Sequence, residues 1–232
     1  MTDRTATQPP GMHPAADRPD FIRRHTEIAS PPIVPELRLH LATEVTPLWQ
    51  ATERLLQDAQ LPPPFWAFAW PGGQAIARYL LDEPAVIAGR RVLDLGAGSG
   101  IAGIAAARAG AASVLAIDLD DFACAAIELN AGLNGVSVGI GQRDVTAGPV
   151  PSVDCILAGD VCYERSAADR IAAWLRQRAN EGTLILLGDP GRTYMPKGGL
   201  APLVRYDVPT SLDLEDRTTR ETGVWRLLPS AG

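Results

Sequence analysis

The segment Val92-Leu93-Asp94-Leu95-Gly96-Ala97-Gly98-Ser99-Gly100-Ile101-Ala102-Gly103 limits the folds open to this chain more than any other. An apolar strand runs into alternating glycines, and a helix follows. Glycine lets a backbone turn sharply and approach a ligand closely, and the first turn of a helix offers unpaired N–H groups. The alternation continues downstream, with strands predicted over 91–95, 113–118, 136–140, 153–158 and 182–188 and helices over 100–109, 121–134 and 167–179. Strands alternating with helices require right-handed crossovers, so a largely parallel sheet covered on both faces is expected. Beyond Gly188 the helical pattern stops, and residues 203–208 and 223–228 predict a C-terminal antiparallel strand pair.

Upstream of this core the chain changes character. Residues 1–36 carry seven prolines and few large apolar groups, too few to offset the entropy of ordering. The expected organisation is a disordered tail over 1–19, an N-terminal arm with helices and an aromatic segment over 20–89, and a core over 90–232. The arm is expected to carry a short strand or helix at 36–41, a helix at 46–56, a proline break at 61–64 and a helix at 73–81.

Composition excludes several classes. Lys plus Arg number 21 against 27 Asp plus Glu, a net charge of −6 with no basic run, which argues against a partner bound through nucleic-acid phosphates. No stretch approaches the roughly 20 apolar residues of a membrane span. No secretory signal is evident. Cys124, Cys155 and Cys162 are odd in number and lack metal-ligand spacing, so neither a disulfide framework nor a zinc site is expected, and a cytoplasmic setting fits. His13, His25 and His40 all precede the core, so histidine catalysis is not expected.

Two cofactor patterns overlap in the glycine turn. Gly98 to Gly103 matches the dinucleotide fingerprint G-x-G-x-x-G, whereas Asp94, Gly96, Gly98 and Gly100 form the D-x-G-x-G-x-G pattern of S-adenosylmethionine enzymes. A carboxylate at Asp94 repels a pyrophosphate but suits a ligand carrying an ammonium and a sulfonium. Asp118 closes the next strand, where a carboxylate can accept from ribose hydroxyls, and Asp144 stands where it could meet an adenine amine. Each could instead be a turn residue or helix cap, but three aspartates follow successive strands of one sheet. After the fourth strand Asp160 and Tyr163 face the reacting end of such a cofactor. Nucleobase and glutamine methyltransferases carry N-P-P-Y there; the missing prolines disfavour those substrates, and an aspartate suits a cationic amine.

Two further segments have both a structural and a functional reading. Trp66, Phe68 and Trp70 alternate before Gly72-Gly73 and could form core or wall a cation pocket. Arg192 and Tyr194, after Asp189-Pro190-Gly191, could belong to a turn or line a substrate entrance.

At these residues the chain resembles the seven-strand S-adenosylmethionine-dependent methyltransferases, and within them the protein-lysine methyltransferases acting on the electron transfer flavoprotein β subunit. The resemblance rests on Pro63 to Trp70, Gly72-Gly73-Gln74-Ala75, the Asp94–Gly100 turn, Gly159-Asp160-Val161-Cys162-Tyr163-Glu164, Gly188-Asp189-Pro190-Gly191-Arg192, Asp213 to Arg217 and Val224-Trp225-Arg226-Leu227. It implies a Rossmann-like seven-stranded, mostly parallel sheet and S-adenosyl-L-methionine as cofactor. It implies methyl transfer to lysine amines of a protein, with the β subunit as the expected acceptor and a monomeric enzyme. The implied cofactor set is Trp70, Gly72, Asp94, Gly96, Ala97, Gly98, Gly100, Asp118, Leu119, Asp144 and Ala158. Asp160 and Tyr163 form the Asp-x-x-Tyr motif at the acceptor lysine, and Trp66, Arg192 and Tyr194 would line the substrate side. Asp120-Asp121 departs from a common Asp-Pro and Met195 from a common Leu. Gly159-Asp160-Val161 departs from the Asn-Ile-Leu-like run of ribosomal protein L11 methyltransferases. A ribosomal protein or a nicotinamide-like small amine remains the alternative acceptor, and a non-enzymatic nucleotide-binding module the alternative class. Whether Asp160 orients or deprotonates the amine is open from sequence.

Overall fold

The computed structural model describes residues 18–42, 64–149, 152–210 and 215–230. The readings for residues 1–17, for the 46–56 helix and for the prolines at 61–63 lie outside the described residues. The arm comprises α1 (Arg18–His25), a hairpin of β1 (Glu27–Ala29) and β2 (Leu39–Leu41), and a 3₁₀ turn at Phe65–Ala67. The expected tail reached residue 19, whereas α1 begins at Arg18 with Pro19 in its first turn, where a missing N–H costs little. The core then follows as α2 (Pro71–Asp82), β3 (Arg91–Leu95), α3 (Ile101–Arg108), β4 (Ser113–Asp118), α4 (Asp121–Leu133), β5 (Gly139–Gln142), β6 (Cys155–Gly159), α5 (Arg165–Asn180), β7 (Leu184–Asp189), β8 (Leu200–Pro209) and β9 (Thr219–Leu227).

The seven core strands form one sheet in the order β5-β4-β3-β6-β7-β9-β8. β5 through β7 pair in parallel, while β9 runs antiparallel to β7 and to β8. Successive residues of the central strands enter opposite cores, as the two-residue strand period requires. Leu93, Ile117, Ile156 and Leu187 pack with Trp174 and Leu175 of α5. Val92, Val114, Leu157 and Leu186 pack with Ile76 and Leu80 of α2 and with Ala102 and Ala106 of α3. Strands buried on both faces read as continuous apolar runs, which is why the expected sheet and the C-terminal pair emerge as observed. The third strand is displaced from the expected 136–140 to Gly139–Gln142. Val136 and Val138 pack against the helices before the ladder begins, and the strand itself is an exposed edge with Gly139 and Gly141.

The chain starts the sheet in its middle at β3, works outward to β5 and returns beside β3 as β6. This reversal leaves a crevice beyond the carboxyl ends of β3 and β6, where open α/β sheets bind ligands. The arm is docked along α4. Asn134 clasps the backbone of Arg38, its Oδ1 accepting from the N–H at 3.0 Å and its Nδ2 donating to the carbonyl at 2.7 Å. One helical turn earlier the fully buried Asn130 accepts from the His40 N–H at 2.7 Å and donates to the Ser99 carbonyl at 2.8 Å. It thereby ties the hairpin to the glycine turn.

α2 approaches the sheet more closely than side chains would allow. A Cβ at Gly188 would stand 2.3 Å from the Gly72 carbonyl oxygen, and one at Gly159 would stand 2.9 Å from the Gly73 Cα. The first turn of α2 therefore rests backbone to backbone on the ends of β6 and β7. The Gly-Gly pair makes this helix-on-sheet packing possible. Gly188→Ala is expected to lose about 1–3 kcal/mol of unfolding free energy through overpacking. Denaturant unfolding checks this; an unchanged midpoint would contradict the contact.

Candidate active site

The glycine turn leaves β3 with Gly96, Gly98 and Gly100 at φ of 62°, 53° and 79°, a left-handed conformation in which a Cβ is strained. Asp118, half-buried at the end of β4, fixes the turn by accepting from the Gly98 N–H at 2.8 Å. Its other carboxylate oxygen accepts from the Asp120 N–H at 3.0 Å. Beside it Leu119 is 64% exposed, an apolar side chain standing free at the strand end. Ala97, by contrast, is buried.

Asp94 is turned underneath this loop. It is buried, and its Oδ2 accepts from the Gly103 N–H of α3 at 2.8 Å. Burial, with Asp118 nearby, pushes its pKa up to about 7 against the one N–H that lowers it. Asp120 caps α4 by accepting from Phe122 N–H at 2.8 Å, and its burial raises it to about 6. Asp144 sits in a turn, its Oδ1 taking the Thr146 N–H at 2.8 Å and hydroxyl at 2.6 Å. The bond from the Thr146 hydroxyl holds its carboxyl below the ordinary range. Ala158 is fully buried in β6, between Leu95 and Leu187.

Asp160 follows β6 with φ at 55°, the left-handed region that a non-glycine residue seldom occupies and that costs about 1–3 kcal/mol. Its backbone N–H donates to Gly188 O at 2.9 Å. The carboxylate is 9% exposed and fully engaged: Oδ2 accepts from the Gly73 N–H at the start of α2 at 3.0 Å, and Oδ1 from Arg192 at 3.1 Å. Burial is the dominant effect and raises its pKa to about 6, with Asp189 adding and Arg192 and Gly73 offsetting. Arg192 lies 5.9 Å from the Trp70 ring centroid and also donates to Glu215 at 2.8 Å. Glu215 is buried and accepts from Arg220 at 2.9 Å through its other oxygen.

Aromatic rings close one side of this cluster. Trp70 donates its Nε1–H to Phe65 O at 2.8 Å, and Phe65 stands 5.9 Å from Trp70 and 5.5 Å from Tyr163. Tyr163 is 58% exposed. Trp66 departs from its expected place. The segment is a 3₁₀ turn and not an alternating strand, so Trp66 is buried, stacked 6.0 Å from Phe122 in a cluster with Ile22. Its ring is core, and the structure does not bring it to Asp160. Tyr194 lies under Arg165, 5.5 Å from ring centroid to guanidinium carbon, and is half-buried against the α5 face.

The structure thus gathers Trp70, Gly72, Asp160, Tyr163 and Arg192 at one place and Asp118 and Leu119 at the end of β4, across β3 from it. Gly73, Phe65, Glu215, Arg220 and Asn130 join them without having been singled out as site residues. Glu215 and Arg220 lie 23 and 28 residues from Arg192, so no local pattern links them. The signal that could have found Glu215 is an acidic residue among the motifs already quoted.

A family model described as ribosomal protein L11 methyltransferase (PrmA) matches residues 78–161. The chain is 38% identical over 215 residues to the electron transfer flavoprotein beta subunit lysine methyltransferase of Xenopus laevis, covering 90% of this chain and 86% of that protein. The protein of the same description from Danio rerio is 37% identical over 217 residues, with 90% and 83% covered. Among solved structures, a ribosomal protein L11 methylase from Lactobacillus delbrueckii subsp. bulgaricus shares the fold with a TM-score of 0.51 at 24% identity, over 70% of this chain and 81% of that one.

Asp94 gives a pH-dependent prediction. Its folded pKa of about 7 lies above the ordinary 3.8, so the folded state holds a proton that the unfolded chain releases. That contribution is fully present below about pH 3.8 and is lost as pH rises from there through about 7. Asp94→Asn keeps an acceptor for Gly103 and removes the buried charge. It should add about 1–3 kcal/mol to unfolding at pH 8 and less at pH 5. Thermal melts across this range test it, and an equal effect at both pH values would contradict it.

Proposed function

Because the chain belongs to the family of electron transfer flavoprotein β-subunit lysine methyltransferases, we propose that its acceptor is lysine side chains of that β subunit, received at Asp160 and Tyr163. The enzyme is an S-adenosylmethionine-dependent protein-lysine methyltransferase. The observation that carries the site reading is the Asp160 carboxylate, held by the start of α2 at the carboxyl end of β6. It is a fixed anion with an aromatic wall, the chemistry that receives an ammonium.

The residues around the turn fit the cofactor. Asp118 offers a carboxylate to ribose hydroxyls at the strand end, Leu119 an exposed apolar face to a purine, and the turn at Gly96, Gly98 and Gly100 a close backbone approach. Asp94 acts from below, bracing α3 through Gly103 beneath the methionine end, where the cation of a bound cofactor would favour its ionised form. Asp144 would serve the adenine from its turn, and Ala97, Ala158, Trp70 and Gly72 would shape the walls. When bound, S-adenosyl-L-methionine supplies a methyl group activated on a sulfonium.

A lysine amine with a pKa of about 10.4 arrives as a cation. Ionised Asp160 attracts it and fixes the nitrogen, and Tyr163 sets its line of approach. A carboxylate favours the charged amine, so Asp160 orients it and the excess proton leaves to water. Positioning is the main contribution, since near-attack geometry can supply about 7–11 kcal/mol. The match to the L11 methyltransferase model ends at Val161. It spans the glycine turn and Asp160 and stops before Tyr163, so it covers the cofactor side and only part of the acceptor pair.

Three outcomes test this reading. Purified β subunit incubated with radiolabelled S-adenosylmethionine should take up label on lysine; label only in small molecules would overturn the protein acceptor. Asp118→Ala should weaken cofactor binding by about tenfold or more in calorimetry, given about 1.5–3 kcal/mol for hydrogen bonds to a charged group. An unchanged affinity removes Asp118 from the ribose. Acceptor binding needs ionised Asp160, so kcat/KM should rise with pH through about 6. Asp160→Asn should abolish that limb, and a limb that persists in the variant belongs to another group.

A further inference from the structure

Two complementary polar atoms are left unpaired where β7 ends and its following loop begins. The Nε of Arg192 is buried without an acceptor, and the Oδ2 of Asp189 is buried without a donor. They belong to one tight turn, in which Asp189 Oδ1 accepts from the N–H groups of Gly191 at 2.7 Å and Arg192 at 2.6 Å. Buried donors and acceptors are ordinarily paired, and leaving one of each costs stability. A guanidinium turned from Asp160 toward Asp189 would satisfy both. In the present arrangement the same guanidinium lies on Asp160 Oδ1 and beside the Trp70 ring, the two groups that would hold an incoming ammonium.

We propose that Arg192 stands in for the acceptor ammonium in the free enzyme: the substrate's cation displaces it from Asp160, and it moves to Asp189 while Glu215 retains it. This rests on the reading that Asp160 receives the acceptor amine. The exchange conserves charge, since one cation leaves Asp160 as another arrives and the released guanidinium meets a second carboxylate. Glu215 is the tether, a buried carboxylate bonded to Arg192 and anchored on Arg220. The exchange also selects the substrate. A neutral amide or an uncharged ring nitrogen cannot replace a guanidinium on a buried carboxylate, whereas a lysine ammonium can. Arg192 is thus a specificity-determining residue that works by occupying the site it guards.

The groups facing Asp160 are Asp189 from the end of β7, Arg192 from the loop that follows, Cys162 from its own loop, and the Gly73 N–H from α2, with Glu215 and Arg220 behind Arg192. Steady-state kinetics of the full chain with purified β subunit, run against pH, separate exchange from simple support. Arg192→Gln removes the competing cation, so KM for the acceptor should fall by about tenfold at pH 8, equivalent to 1.4 kcal/mol. The acid limb of kcat/KM should move up by about one pH unit as Asp160 loses its counter-ion. Arg192→Lys, which restores a displaceable cation, should return both toward the parent values. Asp189→Asn keeps the acceptor for the turn and removes the landing carboxylate; it should raise acceptor KM by about tenfold while the limb moves down, opposite to Arg192→Gln, because the Asp189 charge no longer raises Asp160. Should Arg192→Gln fail to fold, the acceptor KM of Asp189→Asn still decides. A raised KM in Arg192→Gln with the limb unmoved would mean structural support only and would overturn the exchange. An unchanged acceptor KM in Asp189→Asn would overturn it equally. If Asp160→Asn leaves acceptor kinetics unchanged, the acceptor reading falls first and the exchange with it. If that variant is impaired and Arg192→Gln shows no fall in KM, the exchange alone is wrong.

Discussion

The site depends on the contact of Gly72 and Gly73 with Gly159 and Gly188, where a helix backbone lies directly on the ends of two strands. No side chain separates the layers, so the first N–H groups of α2 reach the carboxyl end of β6. Gly73 delivers its N–H to Asp160, and Trp70, the residue just before α2, presents its ring beside Arg192. The left-handed backbone of Asp160 is sustained by the same contact, through its N–H on Gly188 and its carboxylate on Gly73. Widening the gap by one methyl group would shift the anion, the aromatic wall and the strained residue together.

Burial then sets the electrostatics. Asp94 and Asp160 are both withdrawn from water, one under the glycine turn and one behind Arg192, and both titrate far above an ordinary carboxylate. They differ in what opposes the burial. Asp94 has only a backbone N–H, whereas Asp160 also has a guanidinium shared with Glu215. A fixed anion near neutrality, with a cation that can be replaced, suits a reaction whose acceptor arrives charged and must be held still. The net charge of −6 gains a local meaning here, since Asp94, Asp118, Asp160 and Asp189 all lie at the carboxyl ends of parallel strands.

The sheet was legible in the sequence because its strands are buried on both faces and must be written as apolar runs between glycines and aspartates. The edge strand after α4 was displaced by three residues because Val136 and Val138 pack on helices, and apolarity alone cannot separate that from pairing. α1 was missed because eight residues with one fully buried side chain, Ile22, carry almost no period. The places of Asp118 and Asp160 in the fold were legible because one ends β4 and the other directly follows β6. Trp66 was misplaced because a three-residue helical turn sends alternate aromatics to different surroundings, one into the core and Trp70 to the cluster. The Arg192–Glu215–Arg220 chain was invisible because its members meet only when the end of β7 and the start of β9 come together.

The most direct measurement is a structure of the enzyme with S-adenosylhomocysteine and the electron transfer flavoprotein β subunit. The acceptor lysine nitrogen should lie within hydrogen-bond distance of an Asp160 carboxylate oxygen, with the Gly73 N–H still bound to the other. A lysine seated elsewhere, with Asp160 still held by Arg192 and Gly73 as in the free chain, would contradict the assignment of Asp160 as the group that receives the amine.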